Sequence, residues 1–121
     1  MEGPVLLVES DPEWRKNLEE RLERADFLTI VHDNPTGAMK EIEQGLQYRL
    51  ALVDLDYSGQ RYTGLDVSRA SKDKNPMVPV IFISKYPSPI PESDAFWTKS
   101  KDVSKLLDIV KSLLDIAKSR H

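Results

Sequence analysis

Leu50-Ala51-Leu52-Val53-Asp54-Leu55-Asp56 is the stretch that decides the fold. Its four leading apolar residues do not alternate with polar ones, which fits a strand buried on both faces, and the aspartates then end the run with charge. A strand of that kind belongs to a parallel sheet covered by helices, so further apolar runs should recur with helical segments between them. They do: residues 5–8, 27–31, 80–83 and, more weakly, 95–98 read as strands.

The intervening segments carry helical signals. Trp14, Leu18, Leu22 and Ala25 recur at helical spacing behind Asp11 or Ser10 as N-cap and Pro12 at the first helical position. A second helix is predicted over 35–44, with Ala38, Met39 and Ile42 on one side, Asn34 as cap and Gly45 as stop. A third, less regular one covers 64–72. The last is the clearest: Val103, Leu106, Leu107, Val110, Leu113, Leu114 and Ala117 form one stripe. Alternation of strands and helices with right-handed crossovers implies an α/β fold, a doubly wound five-stranded parallel sheet with helices on both faces. One stretch breaks the rhythm. After Ser84, prolines at 87, 89 and 91 each remove a donor and disfavour helix at the preceding residue, so residues 85–92 should be extended and polyproline-like and the fourth helix short or missing.

Composition narrows the function. At 121 residues the chain suits one domain, and 17 Lys and Arg against 20 Asp and Glu give a net charge of -3, too acidic for a chain whose main work is gripping nucleic acid. Cysteine is absent, which excludes disulfide scaffolds, Cys-based zinc sites and thiol catalysis. The N-terminal apolar run is far shorter than the roughly 20 residues a bilayer requires, so neither membrane nor secretion is expected and the cytoplasm is the default.

In an open parallel sheet, ligands bind beyond the carboxyl ends of the strands. There the first strand is followed by Glu9-Ser10-Asp11, the third by Asp54-Leu55-Asp56, the fourth by Ser84-Lys85 and the fifth by Thr98-Lys99-Ser100. Carboxylates gathered without histidine or cysteine favour a hard cation such as Mg2+, and a lysine beside them suits a phosphoryl oxygen. A small nucleotide-binding domain would need a Gly-rich phosphate loop after the first strand, where this chain has acidic residues instead.

These four marks, each at the correct strand end, resemble the flavodoxin-like receiver domain (CheY-like) of two-component response regulators, over essentially the whole of residues 1–121. The resemblance implies a (βα)5 domain that is a switch and not an enzyme. It accepts a phosphoryl group on Asp54 from a histidine kinase or phosphotransfer protein, with Mg2+ held by Glu9, Asp54 and the backbone carbonyl of Asp56. It further implies Ser84 and Lys99 as ligands of the phosphoryl oxygens and Phe96 as the aromatic switch residue, with a downstream protein as target. The Asp56 side chain is expected to be only a surface charge, Phe96 to be switch or packing residue, and Trp14 and Trp97 to be packing. Neither His32 nor His121 has metal-ligand spacing. Departures from the family pattern make this an atypical member. Ser10 stands where a second acidic residue usually binds the metal, so Mg2+ should bind weakly. Asp11 compensates unless it is committed as N-cap. Ser58 and Ser100 replace prolines, and Gly64 lies about two residues further from Asp54 than is usual. The alternative is a degenerate receiver acting as a phosphorylation-independent binding module. In either case a partner should meet an apolar patch of Tyr86, Ile90, Phe96 and Trp97 with the start of the last helix.

Overall fold

The computed structural model describes residues 3–56, 61–86, 94–100 and 102–119. Within them the elements run β1 (Val5–Val8), α1 (Pro12–Arg24), β2 (Thr29–His32), α2 (Pro35–Glu43), β3 (Leu50–Asp54), α3 (Gly64–Lys74), β4 (Val80–Ser84), β5 (Ala95–Thr98) and α4 (Val103–Ser119). The strands form one sheet in the order β2-β1-β3-β4-β5 with every pairing parallel. Strand order reverses between β1 and β3, whose register pairs Val8 with Val53. The residues that follow, Glu9 and Asp54, therefore leave the sheet side by side at the switch point, where parallel sheets bind ligands.

The apolar runs of β1, β3 and β4 are buried throughout, as strands covered on both faces must be. Successive side chains divide between two cores. On one face Val5, Leu7, Leu50 and Leu52 meet Leu18 and Leu22 of α1 and Val103, Leu106 and Val110 of α4. On the other Leu6, Val8, Ala51 and Val53 meet Ala38 and Ile42 of α2 and Val67 of α3. Fully burying one leucine or isoleucine contributes about 1.5–3 kcal/mol, so these two layers are the main stabilising term.

The helices start where their caps dictate. Asp11 Oδ1 accepts from Glu13 N (2.9 Å) and Trp14 N (3.3 Å), with Pro12 opening α1. Asn34 Oδ1 accepts from Gly37 N (2.9 Å), and α2 ends before Gly45, whose φ of +94° is the left-handed conformation glycine tolerates. At α3 Thr63 N donates to Asp66 Oδ2 (2.7 Å), one half of a capping box.

Two expectations shift. Strand β2 starts at Thr29 rather than residue 27, because Phe27 N still donates to Leu22 O while Leu28 lies 75% exposed. The patch also changes: Tyr86 is 72% exposed, but Trp97 is only 6% exposed and sits edge-on against Trp14 with ring centroids 5.8 Å apart. Trp97 is thus core, and among the described residues it adds little to an exposed patch. The expected extended proline segment, with Ile90, lies outside the described residues except at its start; Lys85, Tyr86 and Asp94, between β4 and β5, are not helical. Ser58 and His121 also lie outside them. Among the described residues no helix is long and apolar enough to cross a membrane.

Candidate functional site

Beyond the ends of β1, β3, β4 and β5 an open cavity of about 640 Å³ is lined by Ser10, Asp11, Asp54, Asp56, Lys85 and Lys99, among others. Its floor is a buried ion cluster. Lys99 Nζ stands 2.8 Å from Glu9 Oε1, 3.2 Å from Asp54 Oδ1 and 3.5 Å from Asp56 Oδ2. The side chains of Glu9 and Asp54 are wholly buried and that of Lys99 is almost so. Isolated buried charges of this kind are costly, and mutual pairing is what makes them tolerable. The lysine is fixed from its backbone, since Lys99 N donates to Ser84 O (2.7 Å) as β5 leaves the sheet, and its ammonium lies 5.9 Å from the ring centroid of Trp14.

Each carboxylate has its own restraints. Asp54 Oδ1 also accepts from Asp56 N (2.9 Å), whereas Oδ2, toward Ser10, accepts its hydroxyl at 3.3 Å. Glu9 Oε2 accepts from Asp11 N (3.1 Å), while Oε1 has the ammonium of Lys99 as an ion pair without a directed hydrogen bond. Burial, reinforced by a hydrogen bond and charge repulsion from Asp54, pushes the Glu9 carboxyl up to about 8 against the opposing pull of Lys99 and the Asp11 N–H. Burial alone would lower Lys99, but the Glu9 and Asp54 carboxylates outweigh it and hold the ammonium above its ordinary value. The backbone around Glu9 and Ser10 is held by Arg15, whose Nη1 donates to both carbonyls at 3.2 and 3.3 Å.

Asp56 corrects the expectation of a mere surface charge. Its Oδ1 accepts from Ser84 Oγ (2.6 Å) and its Oδ2 from Lys85 N (2.9 Å). Burial would raise its carboxyl, yet the Ser84 and Lys85 hydrogen bonds and the Lys99 charge together bring it below the usual aspartate value. A signal for this was in the sequence: Asp54 and Asp56 are two apart at a strand end, a spacing that turns both side chains to one side. Lys85 contributes through its backbone N–H, which no side-chain pattern announces.

Glu9, Ser10, Asp54, Asp56, Ser84 and Lys99 are brought together. Phe96 is not among them: it is half-buried and packs against the α2–α3 core. Asp11 is engaged as N-cap of α1 through Oδ1, the commitment expected to compete with a metal role, and it also lines the cavity. Among the described residues no three acidic or histidine side chains stand as a ready-made metal cage. The donor set nonetheless fits a Mg2+ ion, which typically takes one or two carboxylates and keeps water for the remainder, because Asp54 and Asp56 line the cavity with hard oxygen donors and the Glu9 carboxyl lies buried next to them, joined through Lys99.

A parallel sheet in this strand order, with helices on both faces and an acid, hydroxyl and lysine set beyond its strand ends, has the fold of the receiver domains (CheY-like) of response regulators. No family model and no curated protein matches the sequence. Among solved structures, the chain is similar to the response regulator TrrA of Thermotoga maritima in complex with Mg2+-BeF, at 25% identity over 93% of this chain and 99% of that one, with a TM-score of 0.81. A response regulator receiver domain protein (CheY-like) from Methanospirillum hungatei aligns over 100% of both chains at 19% identity and a TM-score of 0.87. A receiver protein from Sinorhizobium medicae aligns over 94% of this chain and 95% of its own at 21% identity, with a TM-score of 0.85.

Proposed function

We propose that this chain is a phosphoacceptor receiver domain of a two-component phosphorelay, taking a phosphoryl group on Asp54 from the phosphohistidine of a kinase or phosphotransfer protein. The observation that carries the proposal is the buried Asp54 carboxylate at the switch point of the sheet, with the Lys99 ammonium 3.2 Å away and Ser84 at the end of the adjacent strand β4. Asp54 Oδ1 is engaged by Lys99 and the Asp56 N–H, which leaves Oδ2, weakly held by Ser10, as the attacking oxygen. It forms a new P–O bond as the P–N bond to the donor imidazole breaks, and the imidazole leaves with the electron pair and takes up a proton. Lys99 offers fixed positive charge to the phosphoryl oxygens and Ser84 a hydroxyl donor. Mg2+, when bound by Glu9, Asp54 and the Asp56 carbonyl, would neutralise phosphoryl charge; the Mg2+-BeF complex of TrrA supports its inclusion. The result is a switch of a protein-binding surface by new contacts at Ser84 and Lys99, and not catalytic turnover.

Incubation with acetyl phosphate and Mg2+ should add one phosphoryl mass, labile to acid and base, and Asp54→Asn should abolish it. A wild-type chain that stays unmodified would favour the alternative, a binding module independent of phosphorylation, to which Ser10 at the second acidic position already lends support.

A further inference from the structure

The Asp56 carboxylate makes an unusual set of contacts for a loop residue. One oxygen takes the Ser84 hydroxyl at 2.6 Å; the other takes the Lys85 backbone N–H at 2.9 Å and lies 3.5 Å from the Lys99 ammonium. Ser84 is fully committed, because its oxygen accepts from Tyr86 N (3.2 Å) while its only proton goes to Asp56. A hydroxyl, a backbone N–H and an ammonium converging on an anion are the donors that an oxyanion such as a phosphoryl group requires.

We infer that the Asp56 side chain is an internal anion occupying the seat of the phosphoryl oxygens, a built-in competitor that holds Ser84, Lys85 and Lys99 together before any phosphoryl group arrives. This deepens the proposed phosphoacceptor role and rests on it. Ser84 and Lys85 N each have a single proton to give, so a phosphoryl group that takes them must first expel Asp56 into the cavity, from which its side chain is already about a quarter exposed. Phosphorylation then exchanges one anion for another. The face around β4 and β5 changes less than it would if Ser84 and Lys99 began unengaged, and phosphoryl uptake is slowed by the occupied seat.

The test is an amide-resolved NMR titration of the metal-free protein with inorganic phosphate, on wild type, Asp56→Ala and Asp56→Asn. Both replacements sit at the cavity rim, and the amide conserves shape while removing charge. Loss of a charge-assisted bond should move the Lys85 amide resonance upfield in Asp56→Ala, and phosphate should then bind roughly tenfold or more tightly than to wild type, with shifts at Ser84 and Lys85 and an intermediate effect in Asp56→Asn. A Lys85 amide that stays in place, equal phosphate affinity in all three proteins, or shifts confined to other parts of the surface would overturn the inference. Acetyl phosphate separates it from the reading beneath it. Phosphate binding gained in Asp56→Ala without phosphorylation of any variant keeps the competitor and removes the phosphoacceptor role. Equal phosphorylation rates with unchanged phosphate affinity do the opposite.

Discussion

Ser10 is the residue on which the metal chemistry turns. Its hydroxyl reaches Asp54 Oδ2 at 3.3 Å, where a carboxylate would face Asp54 and demand a cation between them. Ser10→Asp should therefore tighten Mg2+ binding roughly tenfold, measured by calorimetric titration, because a third carboxylate joins Glu9 and Asp54. Unchanged affinity would show that Mg2+ does not sit between positions 10 and 54. Glu9 makes a second prediction, about pH in the metal-free protein. Its carboxyl is raised from 4.5 to about 8 on folding, so between those values the folded chain holds a proton that the unfolded chain has released. Stability from this residue is present below about pH 4.5 and lost as pH rises through about 8. Urea unfolding across that window should show stability falling with pH, and Glu9→Gln, with no proton to lose, should flatten the slope. A slope that survives the substitution would assign the buried proton elsewhere in the cluster.

Among the elements, β3 and the start of α3 approach each other closely at Gly64. A Cβ on Gly64 would lie 2.3 Å from Asp54 O and 2.9 Å from Val53 Cγ1. The first of these contacts is backbone and cannot rotate away, so Gly64→Ala should destabilise the fold by about 2 kcal/mol or more and displace Asp54 from Lys99. Chemical denaturation gives the first effect and acetyl phosphate labelling the second; stability within 0.5 kcal/mol of wild type, roughly the spread of neutral surface changes, would show that the helix can retreat at no cost. The sequence made most of this architecture legible. Apolar runs located the strands, Asp11 with Pro12 marked the start of α1, and the stripe from Val103 marked α4. Less legible were features set by distant partners. Phe27 looked like strand but packs beneath the Arg49 guanidinium, 4.8 Å from the ring centroid, before β2 begins. The spacing of Asp56 from Asp54 hints at the side it faces, but its partners Ser84 and Lys85 lie 28 and 29 residues away, a pairing that the spacing does not name.

At the scale of the whole molecule, the two helical layers are joined by one sheet whose strands contribute alternate side chains to each. Leu6 and Leu7, neighbours in β1, belong to opposite cores, so a layer cannot lose its packing without loosening the strands that pack the other. The chain should therefore unfold as one cooperative unit. Both tryptophans report on a single layer, since Trp14 and Trp97 meet edge-on beside α1 and α4. Ile42, wholly buried on α2, belongs to the other. Ile42→Ala should cost about 2–5 kcal/mol by the lost contacts and the cavity left behind. If the sheet couples the layers, that loss should shift the tryptophan fluorescence transition by as much as the far-UV circular dichroism transition, although both rings pack in the other layer. A fluorescence midpoint left in place while the dichroism midpoint falls would mean that the α2–α3 layer melts by itself. The site would then rest on a scaffold of two separable halves, with Glu9 and Asp54 held only as firmly as the weaker one.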